Sequence, residues 1–266
     1  MPDIRKAALE IREMDSLANM SSVIHSLNPL VKLIVTIAYI FIVASFGKYQ
    51  LSGLFPMILY PAFLFSLSGI SVKICMYKLR FMIPLVCAVG IFNPLIDRNI
   101  LFSVGAISIT GGMVSMITLM LKGILCICAS FLLAATTPID MICMSLRKLH
   151  VPKYIVSLIL LTYRYIATMV EEVSIMNTAY QLRAPGQKGI KISAWGSFLG
   201  QLLLRSMDKA QDVYRSMQIR GYNGEFKYVR TVPLKRTDVI YFLACIVLFL
   251  IVRFINVAYL IGNVFV

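Results

Sequence analysis

The chain has 266 residues, 59% of them hydrophobic and 14% charged, with Lys+Arg 26 against Asp+Glu 12 and a net charge of +14. Soluble globular domains are about half apolar and about a quarter charged, so this balance excludes that class and marks a polytopic, all-α membrane protein. The cations flank apolar runs, which positive-inside topology explains; no nucleic-acid motif accompanies them, so nucleic acid is not expected as a partner.

Residues 1–28 are polar and mixed in charge, with Ile4, Ala7, Ala8, Ile11 and Met14 at helical spacing, as in a short amphipathic helix on the membrane surface. Asn28-Pro29 then opens the first spanning helix, because a proline in the first turn forfeits no hydrogen bond. Five apolar runs follow: Leu30–Phe46, Leu54–Ile70, Arg80–Leu95, Val114–Ala135 and Val239–Ile261. Most approach the roughly 20 residues that a span needs, and the third is short.

Lys73, Lys78 and Arg80 lie between the second and third runs. The fourth and fifth runs are joined by residues 138–238, with fifteen cations against seven acids, a net of +8. Both connections are expected in the cytoplasm, with the N-terminus inside, the C-terminus outside and the loops at Gly47–Gly53 and Ile96–Gly112 facing out. The expected domains are therefore an interfacial segment 1–28, transmembrane helices at 29–137, a cytoplasmic helical domain at 138–238 and a last span at 239–266.

The 138–238 link reads as helices. Thr137-Pro138-Ile139-Asp140 is a start signal, with Thr137 as N-cap, for a helix to about Leu149; residues 153–182 read as a long helix, partly membrane-embedded at first. Ser193 is the expected cap of a further helix running to Arg220, with Leu199, Leu202, Leu203, Ala210, Val213 and Met217 on one face and Arg205, Asp208, Asp212 and Arg215 on the other. Gly196 and Gly200 form a small-xxx-small pair that suits a close helix crossing, and equally a helix start that happens to contain glycines.

One short pattern occurs twice in this link: Thr178-Ala179-Tyr180-Gln181-Leu182-Arg183 and Arg215-Ser216-Met217-Gln218-Ile219-Arg220. In each a small residue (Ala179, Ser216) precedes an arginine (Arg183, Arg220) by four positions, so the two share a helical face. A breaker follows each copy, Pro185-Gly186 and Gly221, which suits a left-handed cap. Arginine at a helix C-terminus is common because it suits the dipole. Two copies in so apolar a chain point instead to paired prongs for two equivalent partners.

Other chemistry is missing from the sequence. No G-x-x-x-x-G-K-[ST] loop is present, so ATP is not hydrolysed by that route. His25 and His150 are far apart, and the six cysteines lie in or beside apolar segments as small buried hydrophobes, so no metal site is expected. Lys122 and Arg253 are the candidate intramembrane charges, and no acid in a spanning run is available to pair with them.

Leu204-Arg205-Ser206-Met207-Asp208-Lys209-Ala210 through Met217-Gln218-Ile219-Arg220-Gly221-Tyr222-Asn223-Gly224 resembles the second coupling motif of the transmembrane T component of energy-coupling factor (ECF) transporters, most closely the cobalt-type CbiQ branch. Thr162-Tyr163-Arg164-Tyr165-Ile166 with Glu171-Glu172, leading to Ala179 and Arg183, resembles the approach to the first motif. Phe92-Asn93-Pro94-Leu95-Ile96-Asp97-Arg98, Thr137-Pro138 and Pro29 with Lys32 fit the same branch. Ser216 stands where the family usually has Ala, Ala184-Pro185 separate Arg183 from Gly186, and Asn28 and Leu30 replace a common Asp and Arg.

The resemblance implies a non-enzymatic scaffold, multi-pass in a prokaryotic cell membrane. Two ABC ATPases and a substrate-binding S component would be its partners. It would bind no cofactor directly, the ATP being hydrolysed by the partners, and cobalt would be the cargo held by the S component. Ala179, Arg183, Gly186, Ser216, Arg220 and Gly221 would then be the ATPase-coupling residues. Two other classes remain: a self-contained secondary carrier, which needs a midplane substrate site, and an intramembrane enzyme, which lacks a catalytic cluster.

Overall fold

A computed structural model describes residues 13–80, 82–91, 94, 100–104, 107–187, 189–224 and 233–254. The helices are α1 (Pro29–Ser45), α2 (Leu51–Ser68, with a 3₁₀ stretch at Phe55–Ile58), α3 (Val72–Leu79), α4 (Met82–Ile91), α5 (Gly111–Thr136), α6 (Ile139–Lys148), α7 (Lys153–Arg183), α8 (Ile192–Ile219) and α9 (Arg236–Phe254). Residues 13–18 are also helical. The all-α class holds with one departure among the described residues. The expected outer loop at Ile96–Gly112 contains an antiparallel hairpin, β1 (Ile100–Val104) with β2 (Ile107–Thr110), in register Ile100↔Thr110 and Val104↔Ile107.

Four helices among the described residues are long and apolar enough to cross a membrane: α2, α5, α7 and α9; α1, at 17 residues, is a shorter apolar helix. Of the five expected runs, the third is described as α4 over Met82–Ile91, and Phe81, Phe92, Asn93 and Leu95 of that run lie outside the described residues. The part of the fifth run beyond Phe254, like Ile4, Ala7, Ala8 and Ile11 of the surface helix, lies outside the described residues.

The chain divides into two compact units, Leu17–Pro138 with Val232–Val266, and Met1–Ser16 with Ile139–Thr231. In the first, α1 packs against α5 and α9, and α4 packs along α5. The start of α1 follows the expectation: Asn28 caps it, its Oδ1 accepting from Leu30 N–H at 3.0 Å. Asp238, in the first turn of α9 and 1% exposed, accepts from the N–H of Asn28 at 3.0 Å and of Lys235 at 2.8 Å. One buried carboxylate thus satisfies donors at the N-terminal ends of two helices, where an anion also suits both dipoles.

The core of this unit turns on a proline. Pro61 has no N–H to give to the carbonyl four residues earlier, that of Met57. Tyr39 of α1 supplies the missing donor, its OH donating to Met57 O at 2.9 Å. The Tyr39 ring packs on Tyr60 and Phe249 at centroid separations of 4.6 and 5.4 Å. Leu59 N–H also points to this carbonyl, so the tyrosine hydroxyl adds a second donor to a buried acceptor, which a phenylalanine could not.

In the second unit α6 packs on α7, and α7 meets α8. The expected cap at Thr137 does not form: α6 begins at Ile139, and the buried Thr137 Oγ1 has no hydrogen-bond partner. Nor does Ser193 cap α8, which starts earlier, at Ile192, with Lys191 as an N-cap lacking a side-chain bond. Lys191 already has the extended backbone that a cap requires (φ −62°, ψ 144°), so the helix begins before the serine. α6 ends with His150 in the left-handed region (φ 63°), closed by Val151 N–H to Leu146 O and His150 N–H to Arg147 O. His25 is held by Ser22 Oγ at Nδ1 (2.7 Å) and donates from Nε2 to Leu17 O at 3.0 Å. Each histidine therefore has a local structural role.

Candidate functional site

The two copies of the repeated pattern occupy the C-terminal ends of the two long helices of the second unit. Arg183 is the last residue of α7, and Arg220 is the C-cap of α8. The helices meet where Arg205 of α8 pairs with Glu172 of α7 at 2.6 Å. Met169, Tyr165 and Leu161, successively earlier on α7, share a groove with Lys209, Val213 and Met217, successively later on α8. The helices therefore run in opposite senses, and the two arginines lie at opposite ends of the pair. With a rise of 1.5 Å per residue, Arg183 is about 16 Å past the Glu172–Arg205 contact one way and Arg220 about 22 Å the other.

The helix ends are built differently. After α8, Tyr222 N–H donates to Met217 O at 2.9 Å and Gly221 N–H to Gln218 O at 2.9 Å, the paired bonds of a Schellman cap. Gly221 takes the left-handed position (φ 77°), as expected. After α7 the glycine is displaced. Ala184 leaves the helix with φ −130° and ψ 68°, as the residue before a proline is pushed to do. Pro185 and Gly186 (φ 87°) then make a turn closed by Gln187 N–H to Ala184 O at 3.4 Å, with proline and positive-φ glycine where a type II turn wants them. Gly186 is therefore a turn residue and Gly221 a helix cap.

Both arginines are exposed, and none of the described residues forms an ion pair with either. The aliphatic residue before each is more telling: Leu182 is 78% exposed and Ile219 87%. A large apolar side chain thus stands open beside the cation at each of the two helix ends. Ala179 is half-buried; Ser216 is exposed but folds its hydroxyl back on its own helix, Oγ donating to Asp212 O at 2.8 Å. It thereby offers a neighbour little more bulk or polarity than alanine would.

α8 has no buried residue along its 28, and Trp195, Leu199, Leu203, Leu204 and Met207 all stand open. The groove between α7 and α8 encloses about 480 Å³ and ends at Met217 and Tyr222, just short of Arg220. Gly196 and Gly200 lie on this uncovered helix, and a Cβ built at either meets nothing within 4 Å. The glycines that carry a close crossing in the chain itself are others. A Cβ on Gly123 of α5 would come within 2.7 Å of Val86 Cγ1 on α4, and one on Gly90 within 3.3 Å of Met116 Cγ and Met120 Cγ. Gly90 and Gly123 are isolated in their own segments, so no local spacing marks them.

No group of three or more His, Cys, Asp or Glu residues placed to hold a metal occurs among the described residues. Burial, and then Asp140, push the Cys143 thiol above its ordinary range.

Residues 20–231 match the family model described as cobalt transport protein, CbiQ. The chain is 29% identical to the energy-coupling factor transporter transmembrane protein EcfT of Lactococcus lactis, over 76% of this chain and 81% of that one. It is 31% identical to the cobalt transport protein CbiQ of Rhodobacter capsulatus, over 38% of this chain and 42% of that one. An uncharacterised protein of Methanocaldococcus jannaschii is 30% identical over 53% of this chain, which spans 50% of the length of that relative. The chain belongs to the cobalt transport protein family and is a T component of energy-coupling factor transporters, integral to the cell membrane.

Proposed function

We propose that this T component couples ATP hydrolysis by two partner ABC ATPases to uptake by a substrate-binding S component, with cobalt ion as the cargo. The observation that carries the reading is the duplicated end of α7 and α8, each an exposed arginine beside an exposed aliphatic: Arg183 with Leu182, and Arg220 with Ile219. Two equivalent prongs at opposite ends of a helix pair suit two copies of one partner type. An arginine fork suits a carboxylate-lined groove on each. The uncovered apolar length of α8, with Gly196 and Gly200 allowing close approach, supports a membrane-embedded partner on the same helices. Residues 138–238 would be the cytoplasmic coupling domain, and Ala179, Gly186, Ser216 and Gly221 would shape the two prongs.

A tagged chain solubilised from its native membrane tests this. It is expected to bring down two ATPase subunits and a second membrane protein, and cobalt uptake into vesicles should need all of them and ATP. Cobalt uptake by the purified chain alone in vesicles, driven by an ion gradient without ATP, would establish the self-contained carrier instead.

A further inference from the structure

Lys122 of α5 and Arg253 of α9 converge on the carboxyl end of α1. The Lys122 ammonium donates to the carbonyl of Phe46 and, at 3.4 Å, to that of Ala44. Arg253 Nη2 lies 3.3 Å from both the carbonyl and the hydroxyl of Ser45, and the guanidinium sits over the Phe46 ring at 4.9 Å from its centroid.

The charge here does not balance. A helix C-terminus is worth roughly −0.5 of an elementary charge, and the two side chains bring two full positive charges. No acid pairs with either among the described residues. Hydrogen-bonding capacity is also left over. An ammonium has three donors and a guanidinium five, whereas the contacts to α1 engage one Arg253 nitrogen and at most two Lys122 protons. Both side chains are only half-buried, so the surplus donors are reachable.

Depth identifies what reaches them. Lys122 is about 21 Å along α5 from Thr136, and Arg253 about 22 Å along α9 from Asp238. With a hydrocarbon core about 30 Å thick, an end of the bundle set at one interface leaves these cations some 8 Å short of the other, which is snorkelling range for long basic side chains. The anion available at that level is a lipid phosphate. A metal ion is unsuited, because the groups facing the site are cations.

We propose that Lys122 and Arg253, at the carboxyl end of α1, bind the phosphate group of a membrane phospholipid from the leaflet that meets the α1–α2 turn.

Native mass spectrometry of the delipidated full chain tests this, with phosphatidylglycerol, diacylglycerol of the same acyl chains and inorganic phosphate as separate probes. The parent chain is expected to take up one phosphatidylglycerol at least about tenfold more tightly than diacylglycerol, with inorganic phosphate neither bound nor competing at the same concentrations. The pair Lys122→Met and Arg253→Met is expected to lose that adduct, while Arg253→Lys keeps it. Equal affinity for diacylglycerol in the parent chain overturns the site without any variant. So does an unchanged adduct in the double variant, or retention of inorganic phosphate alone in place of the lipid.

Discussion

Lys32 Nζ donates at 2.8 Å to the carbonyl of Thr136, and both residues are buried. This bond ties the first turn of α1 to the last residue of α5, where the chain leaves for residues 138–238. Four residues earlier Asn28 is tied through Asp238 to the point where the chain returns. Both strands of the connection are therefore fixed to one turn of one helix. Lys32→Met should lower stability by about 1.5–3 kcal/mol, the usual worth of a hydrogen bond from a charged donor. Asp238→Ala should cost at least as much, since it strands the buried N–H of Asn28 and the part-buried N–H of Lys235, and Asp238→Asn less, since the amide oxygen still accepts one. Thermal unfolding in detergent measures both; an Asp238→Ala variant as stable as the parent contradicts the assignment.

The Tyr39 hydroxyl donates to a carbonyl that Pro61 cannot reach with an N–H of its own. Tyr39→Phe should cost about 0.6 kcal/mol and no more than about 1.7 kcal/mol, the average and the maximum for polar contacts between membrane helices. In a Pro61→Ala background, where an N–H is restored, the same change should cost less. A double-mutant cycle reads the difference. No coupling between the two positions would mean that the tyrosine hydroxyl is not replacing the proline's missing donor.

Glycines packed within the chain and glycines on the open face of α8 should respond differently to substitution. Gly123→Ala puts a methyl 2.7 Å from Val86 Cγ1 and should destabilise the isolated protein by about 1–3 kcal/mol. Gly196→Ala should leave it unchanged or raise its stability by up to about 1 kcal/mol, because the helix gains propensity and nothing is nearby. Gly196→Leu with Gly200→Leu should disrupt only the assembled complex. Unfolding of the isolated chain and recovery of the complex are the two readouts.

Topology follows from charge. A cysteine placed at Lys191, within the 138–238 link, should react with an impermeant maleimide only after the cytoplasmic side is opened, and one at Lys48, between α1 and α2, should react in intact cells. Cys143 should stay silent at neutral pH, since burial and Asp140 hold its thiol protonated. Labelling of Lys191→Cys in intact cells reverses the orientation.

The helices were legible wherever a local signal decides them. Asn28-Pro29 opens α1, and Gly221 closes α8 with the predicted left-handed cap. Proline is a less exact signal. Pro138 was expected inside the first turn of α6 but precedes it, and Pro185 moves Gly186 out of the cap and into a turn. Contacts distant in sequence left no local trace. Nothing around Lys122 or Arg253 shows that both end on α1, and nothing around Gly90 or Gly123 shows that α4 crosses α5 there. The repeated pattern was legible as a repeat, but only the fold shows that its copies lie at opposite ends of a helix pair with Leu182 and Ile219 open beside the arginines.

Arg183 and Arg220 are each proposed to enter a groove on a partner ATPase. Truncating one member of a desolvated charge pair costs about 2–5 kcal/mol, against about 0–1 kcal/mol for an exposed surface cation. The most direct measurement is the amount of ATPase recovered with a tagged chain carrying Arg220→Ala, Arg183→Ala or both, beside Arg220→Lys and the exposed control Lys191→Ala. Recovery should fall at least about tenfold for each arginine change and further for the double, with partial rescue by lysine, which lacks the planar fork. The control should match the parent. Full ATPase recovery and parental transport by both alanine variants would mean that neither arginine enters such a groove.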